Sequence, residues 1–282
     1  MTVYTDNPAG RLHALLDSFK LNSSQQPVHS AWGAVFGVQG DLSGLLSALG
    51  LLVDLPDQVE AEVDRVNPEE FDRDAVMRWK VQLAPFIRDR LLNNERADQA
   101  VAAITEGSMA SLESCSFVLH RYRPQRMLSD ADIEKIRSLV QELVATIEEE
   151  LDGEWELLDF LLQHAKAMSR ALDHYPIVGT AALETALDQS LGAVARRGGD
   201  FAAKEYTRRE SWKKFAKLAG AVLVVLQVPT TALQLPGEIR QAIEGPQPAP
   251  VEKVVIDNTV IVPSTIPAAE ESHVEANSHA GR

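Results

Sequence analysis

Residues 129–172, SDADIEKIRSLVQELVATIEEELDGEWELLDFLLQHAKAMSRAL, decide the fold class. Ile133, Ile136, Leu139, Val140, Leu143, Val144 and Ile147 return every three or four positions, which places them on one side of a 3.6-residue helix. Ser129 supplies an N-cap and Gly153 a stop. From Glu154 a second stripe of similar length runs through Trp155, Leu158, Leu161, Leu162, Ala165, Met168 and Leu172 towards Tyr175-Pro176. Two apolar stripes joined by so short a turn bury their faces best by folding back on each other, so the segment reads as an antiparallel helical hairpin.

The same spacing recurs upstream. Leu12, Leu15, Leu16 and Phe19 follow a cap at Asp6 or Asn7 and Pro8 in the first turn. Val28, Ala31, Trp32, Val35 and Phe36 form a shorter stripe, and Leu42, Leu45, Leu46, Leu49 and Leu52 a broad one. Pro56 is expected to kink or restart the chain before Val59, Val63 and Val66. Asn67-Pro68-Glu69-Glu70 resembles a helix start ahead of Phe71, Val76, Trp79, Leu83, Phe86, Ile87 and Leu91, with a bend expected at Pro85. Further helices are expected at 109–120, at 180–197 with Gly198-Gly199 as the stop, and from about Phe201 onward. The expected fold is all-α, an irregular multi-helix bundle with a flexible C-terminal tail. Its parts are an N-terminal helical region (1–127), the hairpin with long C-terminal helices (128–244), and the tail (245–282), where Pro, Ser, Ala and Glu replace large apolar residues. Within the tail, the β-branched stretches Val254–Ile256 and Thr259–Val262 read as a loosely held extended segment, with pairing to a partner strand as the alternative.

Composition narrows the function. The 282 residues carry 27 Lys+Arg against 41 Asp+Glu, a formal net charge of −14, which speaks against general nucleic-acid binding. A single cysteine, Cys115, forms no internal disulfide and no thiolate zinc site. The first ten residues lack the pattern of a secretory leader, so a cytoplasmic location is expected. Phosphate-binding glycine loops, G-x-S-x-G and kinase signatures are absent from the sequence, which lowers the expectation of an enzyme.

Candidate chemistry is sparse. Cys115 and His120 stand five apart, about 140° around a helix, poorly placed as nucleophile and base. His13 with Asp17 and Asp159 with His164 are pairs rather than metal sets, and the one E-x-x-H, Glu270 to His273, lies in the tail. Glu148, Glu149, Glu150, Asp152, Glu154 and Glu156 cluster at the hairpin turn without the ligand spacing of a calcium loop. Neither a catalytic group nor a cofactor or metal is expected. Arg121, Arg123 and Arg126 with Tyr122 form a basic loop, suited to solvent or to gripping a carboxylate, phosphate or base.

Charge is most uneven near residue 200. From Arg196 to Lys217 eight bases face three acids, giving +5 inside a −14 chain, and Leu218–Gly237 follows with no formal charge at all. The candidate contact residues are Arg208, Arg209, Trp212, Lys213, Lys214, Phe215, Lys217, Val222, Val224 and Val225. Twenty helical residues would span roughly 30 Å of hydrocarbon, with the basic and aromatic residues at the headgroups. Yet only about nine residues are wholly apolar, a length typical of a buried core helix. The expected function is therefore a non-catalytic helical interaction or adaptor protein that binds a protein partner of unknown identity. The alternative is a membrane-anchored or membrane-acting effector, toxin-like or of phage-defence type, inserting 218–237 beside the basic segment 196–217 through contacts in 213–237.

Overall fold

The structure, a computed structural model, describes residues 3–150, 155–203 and 206–227. Eleven α-helices stand among them: α1 (Pro8–Asn22), α2 (Val28–Phe36), α3 (Leu42–Val63), α4 (Arg73–Asp89), α5 (Ala97–Ala100), α6 (Glu106–Tyr122), α7 (Asp130–Glu149), α8 (Trp155–Asp173), α9 (Tyr175–Val178), α10 (Thr180–Ala203) and α11 (Glu210–Leu226). The only β-type pairing among the described residues is an isolated antiparallel bridge between Pro27 and Arg96. The fold is all-α. The expected tail, 245–282, lies outside the described residues, and so do its two β-branched stretches.

Short polar side chains start most of the longer helices. Asn7, Asp41, Asp72, Thr105 and Ser129 each accept a hydrogen bond from the backbone N–H three residues on, at 3.0 to 3.1 Å. Each bond satisfies a donor that the first helical turn leaves unpaired. At Ser129 the pairing is reciprocal, because Asp132 Oδ2 accepts from the Ser129 backbone N–H.

Several expected boundaries move. Pro56 does not restart the chain, for α3 runs through it, and Pro85, where a bend is expected, lies inside α4. Asn67-Pro68-Glu69-Glu70 forms a single 3₁₀ turn, and α4 begins only after its own cap at Asp72. Helix α10 passes Gly198 and Gly199 to reach Ala203. A proline inside a helix costs about 3 kcal/mol. In α3 the stripe Leu45, Leu49, Leu52, Leu55, Val59 and Val63 is buried on both sides of Pro56, which outweighs that cost.

The apolar core forms two clusters. The first gathers α1 to α6 around a Phe19–Trp32 stack with ring centroids 4.6 Å apart. In the second, α7 packs on α8 and α11, and α10 on α8, around Leu143, Leu161, Met168, Trp212 and Phe215. The hairpin expected from the sequence is the α7–α8 pair. Short α9 joins the clusters: it follows α8, yet its Ile177 and Val178 pack into the first core against α1 and α3.

Candidate functional site

Helix α11 carries most of the residues expected to touch a partner or membrane, and it divides them by face. Trp212, Phe215, Val222 and Val225 are buried in the second core, together with Leu218, Ala219 and Leu226. Arg208, Lys213, Lys217 and Val224 are exposed, and Arg209 and Lys214 half-buried. Lys213 pairs with Glu210 at 3.4 Å and Lys217 with Glu142 of α7 at 3.8 Å, so two of the bases face the molecule's own acids. Up to Leu226 most of the apolar run packs into the second core against α7, α8 and α10. Residues 228–237 lie outside the described part.

One apolar side chain on α11 lacks such cover. Val224 is 56% exposed. It borders a groove of about 450 Å³ between α7 and α11, floored by Gly220 and Ala221 and flanked by Lys135 and Lys217. Among the described residues one helix, α3, is long and apolar enough to cross a membrane. Its apolar stripe lies in the first core, while Leu42 and Leu46 at its N-terminal end are exposed.

The remaining candidates have structural partners. Cys115 is fully buried, and loss of solvent pushes its thiol up to about 12, well away from a reactive thiolate. His120 turns instead to Asp6, Nδ1 to Oδ2 at 2.6 Å, and stacks on the Tyr4 ring at 3.7 Å. His164 Nδ1 meets Ser190 Oγ at 3.0 Å. That hydroxyl also lies 2.7 Å from the Ala186 carbonyl, to which it donates. Among the described residues no three His, Cys, Asp or Glu side chains converge on a possible metal position. Part of the acidic cluster at the hairpin turn, 151–154, is outside the described residues, but Glu150 accepts from both the backbone N–H and the hydroxyl of Ser211.

The basic loop is split between roles. Arg123 pairs with Glu62 at 3.2 Å, Arg121 lies over the Tyr122 ring, and Tyr122 donates to Glu70 at 2.9 Å. Arg126 makes no ion pair among the described residues and lines a cavity with Arg11, a residue the sequence reading passed over.

Arg11 is only 7% exposed. Its Nε donates to the Ile177 carbonyl and its Nη1 to Gln125 Oε1, both at 3.0 Å. Both acceptors are neutral. Burial lowers its pKa to about 10, which leaves it charged at neutral pH. The sequence signal was available: Arg11 lies four residues before Leu15, on the buried stripe of α1. No protein-family model, curated protein or solved structure matches the chain.

Proposed function

We propose that the chain is a non-catalytic helical interaction protein, and that a protein partner docks an amphipathic segment in the groove between α7 and α11. The observation that carries this reading is Val224, an exposed apolar side chain on a helix otherwise committed to the core. Beside it Gly220 and Ala221 lower the helix surface, so another helix can approach closely. A helix laid in a groove gains affinity from a few apolar anchors, with charges at the rim setting orientation. At that rim Lys135 stands beside the Lys217–Glu142 pair, so charges of both signs set the orientation of the partner.

The test places a photoreactive benzoylphenylalanine at position 224 of the full chain in cells, and separately at Val81, which is 82% exposed on α4. The expected result is one discrete protein adduct from position 224, none from position 81, and loss of the adduct when Ser138→Trp fills the groove. No adduct at 224, or the same adduct at both positions, would overturn the reading. Adducts to lipid alone, with the chain floating on liposomes, would replace it with the membrane-acting alternative.

A further inference from the structure

A buried cation without a carboxylate is an unusual feature of a folded protein, because ions removed from water are normally paired. Arg11 is such a cation. The nearby carboxylates Asp6 and Glu62 support the charge through space but make no direct ion pair with it, their own contacts being with His120 at 2.6 Å and Arg123 at 3.2 Å. A guanidinium has five N–H donors. Among the described residues two of those of Arg11 have acceptors, and both acceptors are uncharged.

Arg11 is among the residues that line a cavity of about 400 Å³ between α1, α7 and the α9–α10 junction. That volume is within the range of about 300–1,000 Å³ seen for small-molecule sites. The apolar part of the lining comes from Leu15, Val35, Leu128, Ile133 and Pro176. The polar lining is mainly cationic or hydrogen-bonding. Arg126 is at the exposed edge, and Tyr175 accepts from the Leu128 N–H at 2.7 Å, which leaves its own hydroxyl proton to donate. Asp130, in the first turn of α7, is the one carboxylate lining the cavity among the described residues, so two cations there face one anion.

We infer that this cavity binds a small carboxylic acid with an apolar body, its carboxylate held by Arg11 and Arg126 and its body against Leu15, Val35, Leu128 and Ile133. The planar fork of a guanidinium matches a carboxylate through two parallel hydrogen bonds. A monoanion balances the net positive charge of the lining, whereas a phosphate dianion would meet Asp130 with an excess negative charge. The inference stands apart from the α7–α11 groove and does not depend on it.

Calorimetric titration of the full chain with octanoate, 4-phenylbutyrate, 1-octanol and inorganic phosphate tests it. At least one of the two acids should bind saturably at one site, with octanol and phosphate at least tenfold weaker than that acid. Arg11→Lys keeps the charge but removes the fork, and should weaken the acid at least tenfold. Ala14→Phe fills the cavity from α1 while leaving Arg11 itself unchanged, and should abolish binding. Should Arg11→Lys fail to fold by circular dichroism, Ala14→Phe and Arg126→Gln decide, the latter with an expected several-fold loss. Failure of both acids to bind, octanol binding as tightly as the acid, phosphate binding as tightly as the acid, or Ala14→Phe binding like the parent chain would each overturn the inference.

Discussion

Arg11 donates its Nε proton to the carbonyl of Ile177, 3.0 Å away in space and 166 residues later in the chain. This bond ties the first long helix to the four-residue α9, and α9 in turn seats Ile177 and Val178 in the first core. Through Nη1 the same side chain holds Gln125 in the loop before α7. One guanidinium thus ties α1 to the α6–α7 loop and to α9, the places where the chain passes between its two apolar clusters.

The backbone beside Arg11 is built to make room for it. Gly179 adopts φ 65°, ψ −149°, a region that is essentially glycine-only, and a Cβ there would stand 2.7 Å from Arg11 Nη1. Gly179→Ala should therefore lower unfolding free energy by about 1–3 kcal/mol, read by urea denaturation. The control is Gly50→Ala, at an exposed position inside α3 where a Cβ meets nothing within 4 Å. That change should stabilise by about 0.5–1 kcal/mol. Equal effects at the two glycines would remove the argument for a tight Arg11 seat.

The imidazole of His164 gives stability a direction with pH. Burial, with a smaller contribution from the nearby Arg197 charge, lowers its pKa from the ordinary 6.5. As pH falls through that ordinary value, the unfolded chain takes up a proton that the folded chain resists. Stability is thus full above about pH 7 and lost progressively below it, until the lowered pKa is passed. His13 is shifted the same way by burial, so His164→Gln should make the slope between pH 7 and 5 shallower without abolishing it. A slope unchanged in the variant, measured by denaturant midpoints across that range, would assign the dependence to other groups.

Cys115 should be inert while the chain is folded. It is fully buried and its thiol is raised to about 12, so at pH 8 a negligible fraction is thiolate and no reagent reaches it. Labelling with 5,5′-dithiobis(2-nitrobenzoate) should follow the unfolding rate and saturate at one equivalent in denaturant. Rapid labelling in plain buffer would show that α6 opens locally from its neighbours α1 and α4.

The α7–α8 hairpin was legible because both stripes are uninterrupted and Ser129 announces the first helix with its own side chain. Pro56 misled because the local cost of a helical proline is visible in sequence, whereas the stripe from Leu45 to Val63 that repays it is buried only once α3 meets α1 and α4. Arg11 went unread for a related reason: the carbonyl it holds lies 166 residues downstream. The candidate contacts on α11 were found as a set, but their division was not. In a run such as Leu218–Leu226 every position is apolar, so periodicity carries no phase, and the packing of α11 against α7 and α8 alone decides which residue faces out.

That division makes Val222 and Val224 an internal comparison. Val222 is fully buried beside α7 and α8, while Val224 is 56% exposed two positions on, about 200° around the helix. Val222→Arg places an unpaired charge in the second core, at a cost of several kcal/mol, and should unfold the chain or lower its melting temperature sharply in plain buffer. Val224→Arg should stay within about 0.5 kcal/mol of the parent, because its head remains in water. The pair also separates a core helix from a lipid-facing one. In lipid both arginines would be costly and detergent would rescue the fold, whereas enclosure by α7, α8 and α10 makes only the first substitution harmful, in detergent and buffer alike. Thermal unfolding of both variants in the two media checks this, and equal sensitivity of positions 222 and 224 would place α11 outside the bundle.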